Sequence, residues 1–200
     1  MSPKTPQSWT RQSLTDPSKS YLLSTDNSLI DLVALSAAFE SDLLYWAKPL
    51  SPSQLQLCVE QSLCFGIYVS SKPNHDINDS NNSKREMIGF ARLITDYVTF
   101  GYLTDVYILP QHQGQGLAKW MMACLDDVLS SWPDLRRALL FTRDKGPAKM
   151  YGLTCGFKEI GVNGALIIME RPGTGTGTTL KGAPSTGDGK IEGGVTTDGE

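Results

Sequence analysis

The sequence is poor in metal ligands. Its 200 residues include two histidines, His75 and His112, and four cysteines, Cys58, Cys64, Cys124 and Cys155, none in a Cys-x-x-Cys pair. No zinc set can be assembled from these spacings, so no metal is expected. The same scatter gives no disulfide framework. The thiols read as reduced, mostly core residues of a cytoplasmic protein. Basic excess is missing too: 18 Lys and Arg stand against 21 Asp and Glu, a net charge of -3. Neither nucleic acid nor an anionic membrane is therefore an expected partner. No apolar run approaches the roughly 18–20 residues that cross a bilayer. The first twenty residues are rich in Ser, Thr and Pro and lack a signal-peptide core. The glycosylation patterns at Asn78 and Asn81 are then accidental.

What is present suits one globular domain. Hydrophobic residues make up 40% and charged residues 20%, a balance that supports a real core at this length. Residues 1–19 read as a flexible arm and 20–171 as the folded domain. Residues 172–200 hold nine of the nineteen glycines, mixed with Thr and Ser. That stretch has too little apolar surface to offset its ordering entropy and is expected to be disordered. The polar run from Ser71 to Glu86 reads as a long loop at a hairpin tip.

Within the domain, hydrophobic periodicity separates strands from helices. Strands are expected at Ser20–Ser24, Cys64–Ser70, Met87–Thr95, Tyr102–Leu109, Arg137–Thr142, Phe157–Ile160 and Ala165–Met169. One helix would be capped by Asp26, Asn27 or Ser28 and carry Leu29 to Leu35. Another would be capped by Ser51 with Pro52 in its first turn and carry Leu55, Leu57, Val59 and Leu63. From Gly114 to Ser131, Leu117, Trp120, Met121, Cys124, Leu125, Val128 and Leu129 share one helical face. A short helix is expected at Pro147–Leu153. The pattern is mixed α/β of the α+β type, with helices flanking a largely antiparallel sheet.

The chemistry centres on Gln113-Gly114-Gln115-Gly116-Leu117-Ala118, a glycine turn between a strand and a helix. The first amides of a helix are unpaired and its dipole favours negative charge, so such a turn binds anions. A P-loop is excluded because no Gly-Lys is followed by Ser or Thr. A dinucleotide fingerprint is excluded because Lys119 stands where the third glycine belongs.

Gln113 to Ala118 fits Gln/Arg-x-x-Gly-x-Gly/Ala and resembles the acetyl-CoA pyrophosphate loop of the GNAT N-acetyltransferase superfamily. Two further stretches resemble the same superfamily. One is Tyr151 through Gly156-Phe157, with one residue more between Tyr and Gly than is common. The other is the series Gly89–Arg92, Thr95–Tyr97 and Asp105–Tyr107. The resemblance covers about residues 22–169. It implies the GNAT acyl-CoA N-acyltransferase fold with a splayed central strand pair, and acetyl-CoA as co-substrate. Pantetheine would pair with the backbone of Val106, Tyr107, Ile108 and Leu109. The pyrophosphate would lie on the amides of Gly114, Gln115, Gly116, Leu117 and Ala118, beside Gln113 and Lys119. Gly116 would allow close approach because it has no Cβ. Gln113 replaces the commoner Arg, which removes one positive charge.

The implied reaction moves an acetyl group from a thioester to a primary amine by direct attack. A lysine-like amine is neutral only about 0.04% of the time at pH 7, so a base on the acceptor side helps. Tyr151 stands where the family places a general acid for the departing thiolate. Asp105 and Asp96 are candidate bases or substrate anchors, each with a structural hydrogen bond as the competing role; a water relay would need neither. His112 reads as a loop residue and Cys124 as core. Trp46, Tyr97 and Arg143 are candidate acceptor contacts. The expected acceptor is a small-molecule amine, and the expected assembly is a monomer or homodimer. The alternatives are a protein or peptide amine, or a CoA-binding module without turnover.

Overall fold

The computed structural model describes residues 5–44, 47–70 and 85–175. The loop tip at 71–84, Tyr45 and Trp46, and the tail from 176 lie outside the described residues.

The elements in order are β1 (Ser8–Gln12), β2 (Ser20–Ser24), α1 (Leu32–Glu40), α2 (Pro52–Glu60), β3 (Leu63–Ser70), β4 (Glu86–Thr95) and β5 (Phe100–Ile108). They continue with α3 (Leu117–Ser130), β6 (Arg137–Thr142), α4 (Lys145–Cys155), β7 (Lys158–Asn163) and β8 (Leu166–Pro172). The strands form one sheet in the order β1-β2-β3-β4-β5-β6-β8-β7. Every neighbouring pair is antiparallel except β5–β6, which runs parallel. The α+β architecture expected from the sequence is therefore present.

Strand β3 shows how the sheet is covered on both faces. Leu63, Phe65, Ile67 and Val69 join the core that holds α3 and α4. Cys64 and Tyr68, pointing the other way, join the core that holds α1 and α2. A strand buried on both faces reads as a continuous apolar run, as this one does. Helix α3 buries Leu117, Met121, Met122, Cys124, Leu125, Val128 and Leu129, the stripe its periodicity predicts with Met122 added and Trp120 only half-buried. At α2, Ser51 and Gln54 complete a reciprocal capping box ahead of Pro52, satisfying two otherwise unpaired donors.

Three expectations are corrected. The first helix is capped by Asp31, whose side chain accepts from the Val33 and Ala34 amides; Asp26 instead caps a separate short 3-10 turn at Asn27–Leu29. The expected flexible arm contains β1, which pairs in register from Ser8↔Ser24 to Gln12↔Ser20; its alternating burial is a weak signal in only five residues. The expected tail boundary falls too early. Pro172 still pairs with Arg137, and the amides of Gly173 and Gly175 donate to the carbonyls of Arg136 and Leu135, each at 2.8 Å.

The burial assignments give a paired test. Leu125 is fully buried whereas Leu57 is 56% exposed, although both sit on helical apolar positions. Leu125→Ala should cost about 2–5 kcal/mol. At roughly 2–4 °C per kcal/mol for a chain of this size, Tm should fall by about 4–20 °C. Leu57→Ala should change Tm by less than about 2 °C, because a surface site loses little. Comparable losses by thermal denaturation would contradict the packing described.

Candidate functional site

The site begins where β5 leaves β6. The parallel pairing runs only from Phe100↔Arg137 to Leu103↔Leu140. Beyond it, β6 continues against β8 through Thr142, while β5 continues against β4 as far as Ile108. The central strands therefore part, leaving one edge of Thr104–Ile108 without a strand partner. The divergence coincides with a bulge. Phe90 pairs with Tyr107 but Arg92 with Thr104, so β5 carries one residue more than β4 across that interval.

Asp105 lies in the bulge with φ of 53°, in the left-handed region that few residues other than glycine, Asn and Asp occupy. Its buried carboxylate accepts from Arg92 Nε at 2.7 Å and from Thr104 Oγ1 at 3.1 Å. Arg92 also donates to Ser62 Oγ at 3.4 Å. Both carboxylate oxygens of Asp105 are thus engaged.

At the end of β5, a short 3-10 turn at Pro110–His112 leads into the glycine turn. Gly114 and Gly116 have φ of 76° and 73°. A Cβ on Gly114 would meet nothing within 4 Å, and one on Gly116 would meet only the Arg11 guanidinium at 3.6 Å. The glycines are therefore required for their left-handed backbone, and the protein itself leaves open space beside both. The turn aims successive amides into one concavity. Among the described residues, the amides from Gly114 to Lys119 donate to no acceptor. The first helical hydrogen bond is that of the Trp120 amide to the Gly116 carbonyl, at 3.1 Å. A row of unpaired amides at the start of a fourteen-residue helix fits a phosphate group.

Two clefts meet beside this turn. One, of about 430 Å³, runs along Val106–Ile108 and Gly114–Ala118 to Met150 and Tyr151. The other, of about 370 Å³, lies between the parted strands and is lined by Tyr102, Thr104, Asp105, Phe141, Arg143, Asp144 and Tyr151 among others. Val106, Pro147 and Tyr151 line both. The Tyr151 ring packs edge-on against Phe157 at 6.4 Å between centroids. Burial, and to a lesser degree Cys155, pushes its phenol up to about 12, so the group is protonated at neutral pH.

The sequence-derived candidates divide accordingly. Tyr151, Asp105, Arg143, the β5 backbone, Gly114, Gly116, Leu117 and Ala118 all line these two clefts, and His112 and Gln113 stand at the rim of the first. Lys119 is exposed on the first turn of α3. Gln113 is spent internally, donating to the Ile108 carbonyl at 2.9 Å. Gln115 Oε1 accepts from Tyr21 Oη at 2.5 Å. Trp46 lies outside the described residues. Asp96 and Tyr97 are not brought to the site. They line neither cleft and form the β4–β5 turn, about 25 Å from Ile108 at some 3.3 Å per residue along β5. There Asp96 accepts from the Val98, Thr99 and Phe100 amides and from Thr99 Oγ1. The Thr99 hydroxyl and then the Val98 amide hold its carboxyl well below the usual range. Tyr97 packs against Trp132 at 6.2 Å.

No cysteine lines either cleft. Burial raises the thiols of Cys64 and Cys155 to about 12 and that of Cys124 to about 11. These groups stay protonated and are poor nucleophiles. No metal-holding group of side chains is found among the described residues, and no described helix is long and apolar enough to cross a membrane. Arg92, Arg11 and Tyr21 hold residues of the clefts and the turn in place by hydrogen bonds that periodicity and motif matching missed; the only sequence signal for Arg92 was its place in the Gly-Phe-Ala-Arg stretch.

Comparison with known proteins converges on one family. Residues 42–157 match the family described as the acetyltransferase (GNAT) family. A Gibberella zeae protein, named provisionally as an acetyltransferase, is 41% identical over 179 residues, covering 84% of this chain and 95% of its own length. Among solved structures, spermidine N-acetyltransferase from Vibrio cholerae, in complex with CoA and spermine, superposes with a TM-score of 0.51 at 17% identity, over 84% of this chain and 96% of that one. The ribosomal-protein-S18-alanine N-acetyltransferase from Escherichia coli gives 0.51 at 17% identity, over 87% and 99%. Both likenesses are of fold.

The position of Asp96 yields a discriminating test. Asp96→Ala should lower Tm at pH 7 and leave kcat unchanged. A carboxyl with a depressed folded pKa stabilises above its ordinary value, 3.8, and loses that contribution as pH falls through the folded value. The Tm difference between variant and native protein should therefore shrink below about pH 4. A large fall in kcat with Tm unchanged would return Asp96 to the active site.

Proposed function

The chain belongs to the GNAT acetyltransferase family and is an acyltransferase, and from that premise we propose that it transfers an acetyl group from acetyl-CoA to a primary amine of a small molecule. The observation that carries this reading is the junction at Tyr151, where a donor-sized cleft and a second cleft share a wall. A thioester laid along the first would present its carbonyl carbon to a nucleophile in the second.

The residues fit acetyl-CoA as co-substrate. The unpaired amides from Gly114 to Lys119 suit its pyrophosphate. The unpartnered edge at Val106–Ile108 offers peptide groups to the two amides of the pantetheine arm, in the manner of an added strand. For the acceptor, the second cleft combines the paired rings of Tyr102 and Phe141, 5.5 Å apart, with the carboxylates of Asp105 and Asp144. Aromatic faces and carboxylates favour a cationic amine over an anionic one. Arg143 at the same rim would orient an anionic portion of either substrate. A cleft of about 370 Å³ matches a small molecule.

The amine binds as its ammonium form and must lose a proton before attack. Asp105 would anchor the ammonium, but taking the proton would cancel the charge that pairs it with the Arg92 guanidinium. The proton therefore leaves through water in the open cleft. As the nitrogen bonds to the acetyl carbon, the carbon–sulfur bond breaks and the sulfur takes the electron pair. Tyr151 meets that developing charge. Complete transfer from a phenol near 12 to an ordinary thiolate near 8.5 is uphill by about 3.5 pKa units, or ~5 kcal/mol. Tyr151 thus acts chiefly as a hydrogen-bond donor, and the thiolate gains its proton as the product amide sheds the excess one. The protonated core thiols give no route through an acyl-enzyme.

Two measurements test this. Tyr151→Phe should lower kcat by about a hundredfold or more while the Kd for CoA changes less than threefold. Native kcat in that variant would remove Tyr151 from the chemistry. Thiol release from acetyl-CoA across a panel of small amines and unstructured peptides should be strongest with a small cationic amine. Turnover only with peptides would reassign the acceptor class.

A further inference from the structure

Strand β1 brings a cation to the glycine turn. Arg11 Nη1 stands 3.3 Å from the Gly116 carbonyl and Nη2 3.5 Å from the Gln115 carbonyl. Directly across the β1–β2 ladder, Arg11 faces Tyr21, whose hydroxyl donates to the Gln115 side chain. The two cross-strand neighbours thus hold two consecutive residues of one turn, more than ninety positions away in sequence. Both contacts fall where the backbone is least able to hold itself, because Gly116 sits at φ of 73° and caps α3 without a side chain.

The turn has no cation of its own in contact with it. Gln113 is neutral and committed to Ile108. Lys119 is exposed on α3. Arg11, by contrast, makes no salt bridge with a carboxylate among the described residues. A guanidinium has five N–H donors in a fixed fork, and the two carbonyl contacts leave others free. A pyrophosphate diester carries one negative charge on each phosphorus, and beside unpaired amides those two charges gain from an uncompensated guanidinium held against the same turn, more so where water is partly excluded.

We propose that Arg11 is a CoA-positioning residue, clamping the glycine turn by its carbonyls and supplying the positive charge that Gln113 lacks. The proposal rests on the reading of the turn as the CoA pyrophosphate site. It makes the β1–β2 hairpin a working part of the donor site rather than an edge of the sheet.

The experiment measures Kd by calorimetry for native protein, Arg11→Gln and Arg11→Lys, with CoA and with pantetheine, which lacks the pyrophosphate and the 3′-phosphoadenosine. It is paired with KM for acetyl-CoA and kcat. Arg11→Gln should weaken CoA about tenfold and raise KM for acetyl-CoA similarly. It should leave kcat, Tm and pantetheine affinity within twofold or 2 °C of native. Arg11→Lys should recover part of the loss, since it keeps the charge and loses the fork. The native dependence of CoA affinity on salt should be shallower in Arg11→Gln. Unchanged CoA affinity in Arg11→Gln overturns the proposal, as does equal weakening of CoA and pantetheine, which would mark a purely structural role. Failure of the native protein itself to bind CoA would instead strike the underlying reading of the turn.

Discussion

The ion pair of Arg92 with Asp105 is the constraint on which the site is built. It joins neighbouring strands across a bulge, with the guanidinium nitrogen 2.7 Å from a carboxylate oxygen and both side chains largely buried. Such a pair is not efficient as a source of stability, since desolvating two charges consumes much of their attraction. Its value is geometric. The extra residue on β5 turns the strand out of register with β4, and Asp105 must hold a left-handed backbone to do so. A carboxylate tethered to the strand it has just slipped against keeps that conformation from relaxing. Everything beyond Leu103 follows: β5 parts from β6, an edge is left free, and a gap opens between two strands that would otherwise seal.

A gap in a sheet is useful only if its neighbours do not fill it, and α3 sees to that. Its apolar stripe is anchored from Leu117 to Leu129 in the core shared with the sheet, so its N-terminus is fixed in space. The glycine turn connects a fixed strand end to a fixed helix start in few residues, which forces two left-handed conformations into it. The amides that point into the turn are then preorganised before any ligand arrives. Preorganised donors need no rearrangement to receive charge, which is where their advantage over solvent lies. Holding a ligand by main chain also leaves little for side chains to specify, and the turn tolerates glutamines at both Gln113 and Gln115.

What the sequence disclosed follows the range of the forces involved. Periodicity reports local burial, so β3, α2 and α3 were legible from Cys64–Ser70, Ser51–Pro52 and the Leu117–Leu129 stripe, although Leu63, read as helical, opens β3. The glycine turn was legible because its backbone demand is satisfied within six residues, and Tyr151 because a second motif lies at a set distance from it. Asp96 stayed open in the sequence between a site role and a turn-closing hydrogen bond for an instructive reason. An acidic residue next to an aromatic one looks the same in sequence whether it faces a substrate or closes its own turn on Val98, Thr99 and Phe100. Only the length of β5 decides, and that is a distance, not a pattern. Arg92 and Arg11 were harder still. Each acts through a partner on another strand, thirteen residues away in one case and more than a hundred in the other, and pairings at that separation leave no periodic trace.

On the proposed function the same geometry would separate how the two substrates are recognised. The donor cleft is walled by backbone and glycine, the acceptor cleft by side chains from β5, β6 and the start of α4. Of the two carboxylates in that second cleft, Asp105 is already committed to Arg92 and Thr104. Asp144 starts α4 without making a cap hydrogen bond, so its charge is available to a ligand. An acceptor ammonium that meets both finds one carboxylate fixed by the fold and one free to adapt. On the proposed function the fixed one would set where the nitrogen sits relative to Tyr151, and the free one, beside Arg143 and the Tyr102–Phe141 rings, would select what the nitrogen is attached to. Change in acceptor preference would therefore begin at Asp144, Arg143 and Phe141, residues that can vary without disturbing the bulge. Change at Asp105 would alter the opening between the strands itself.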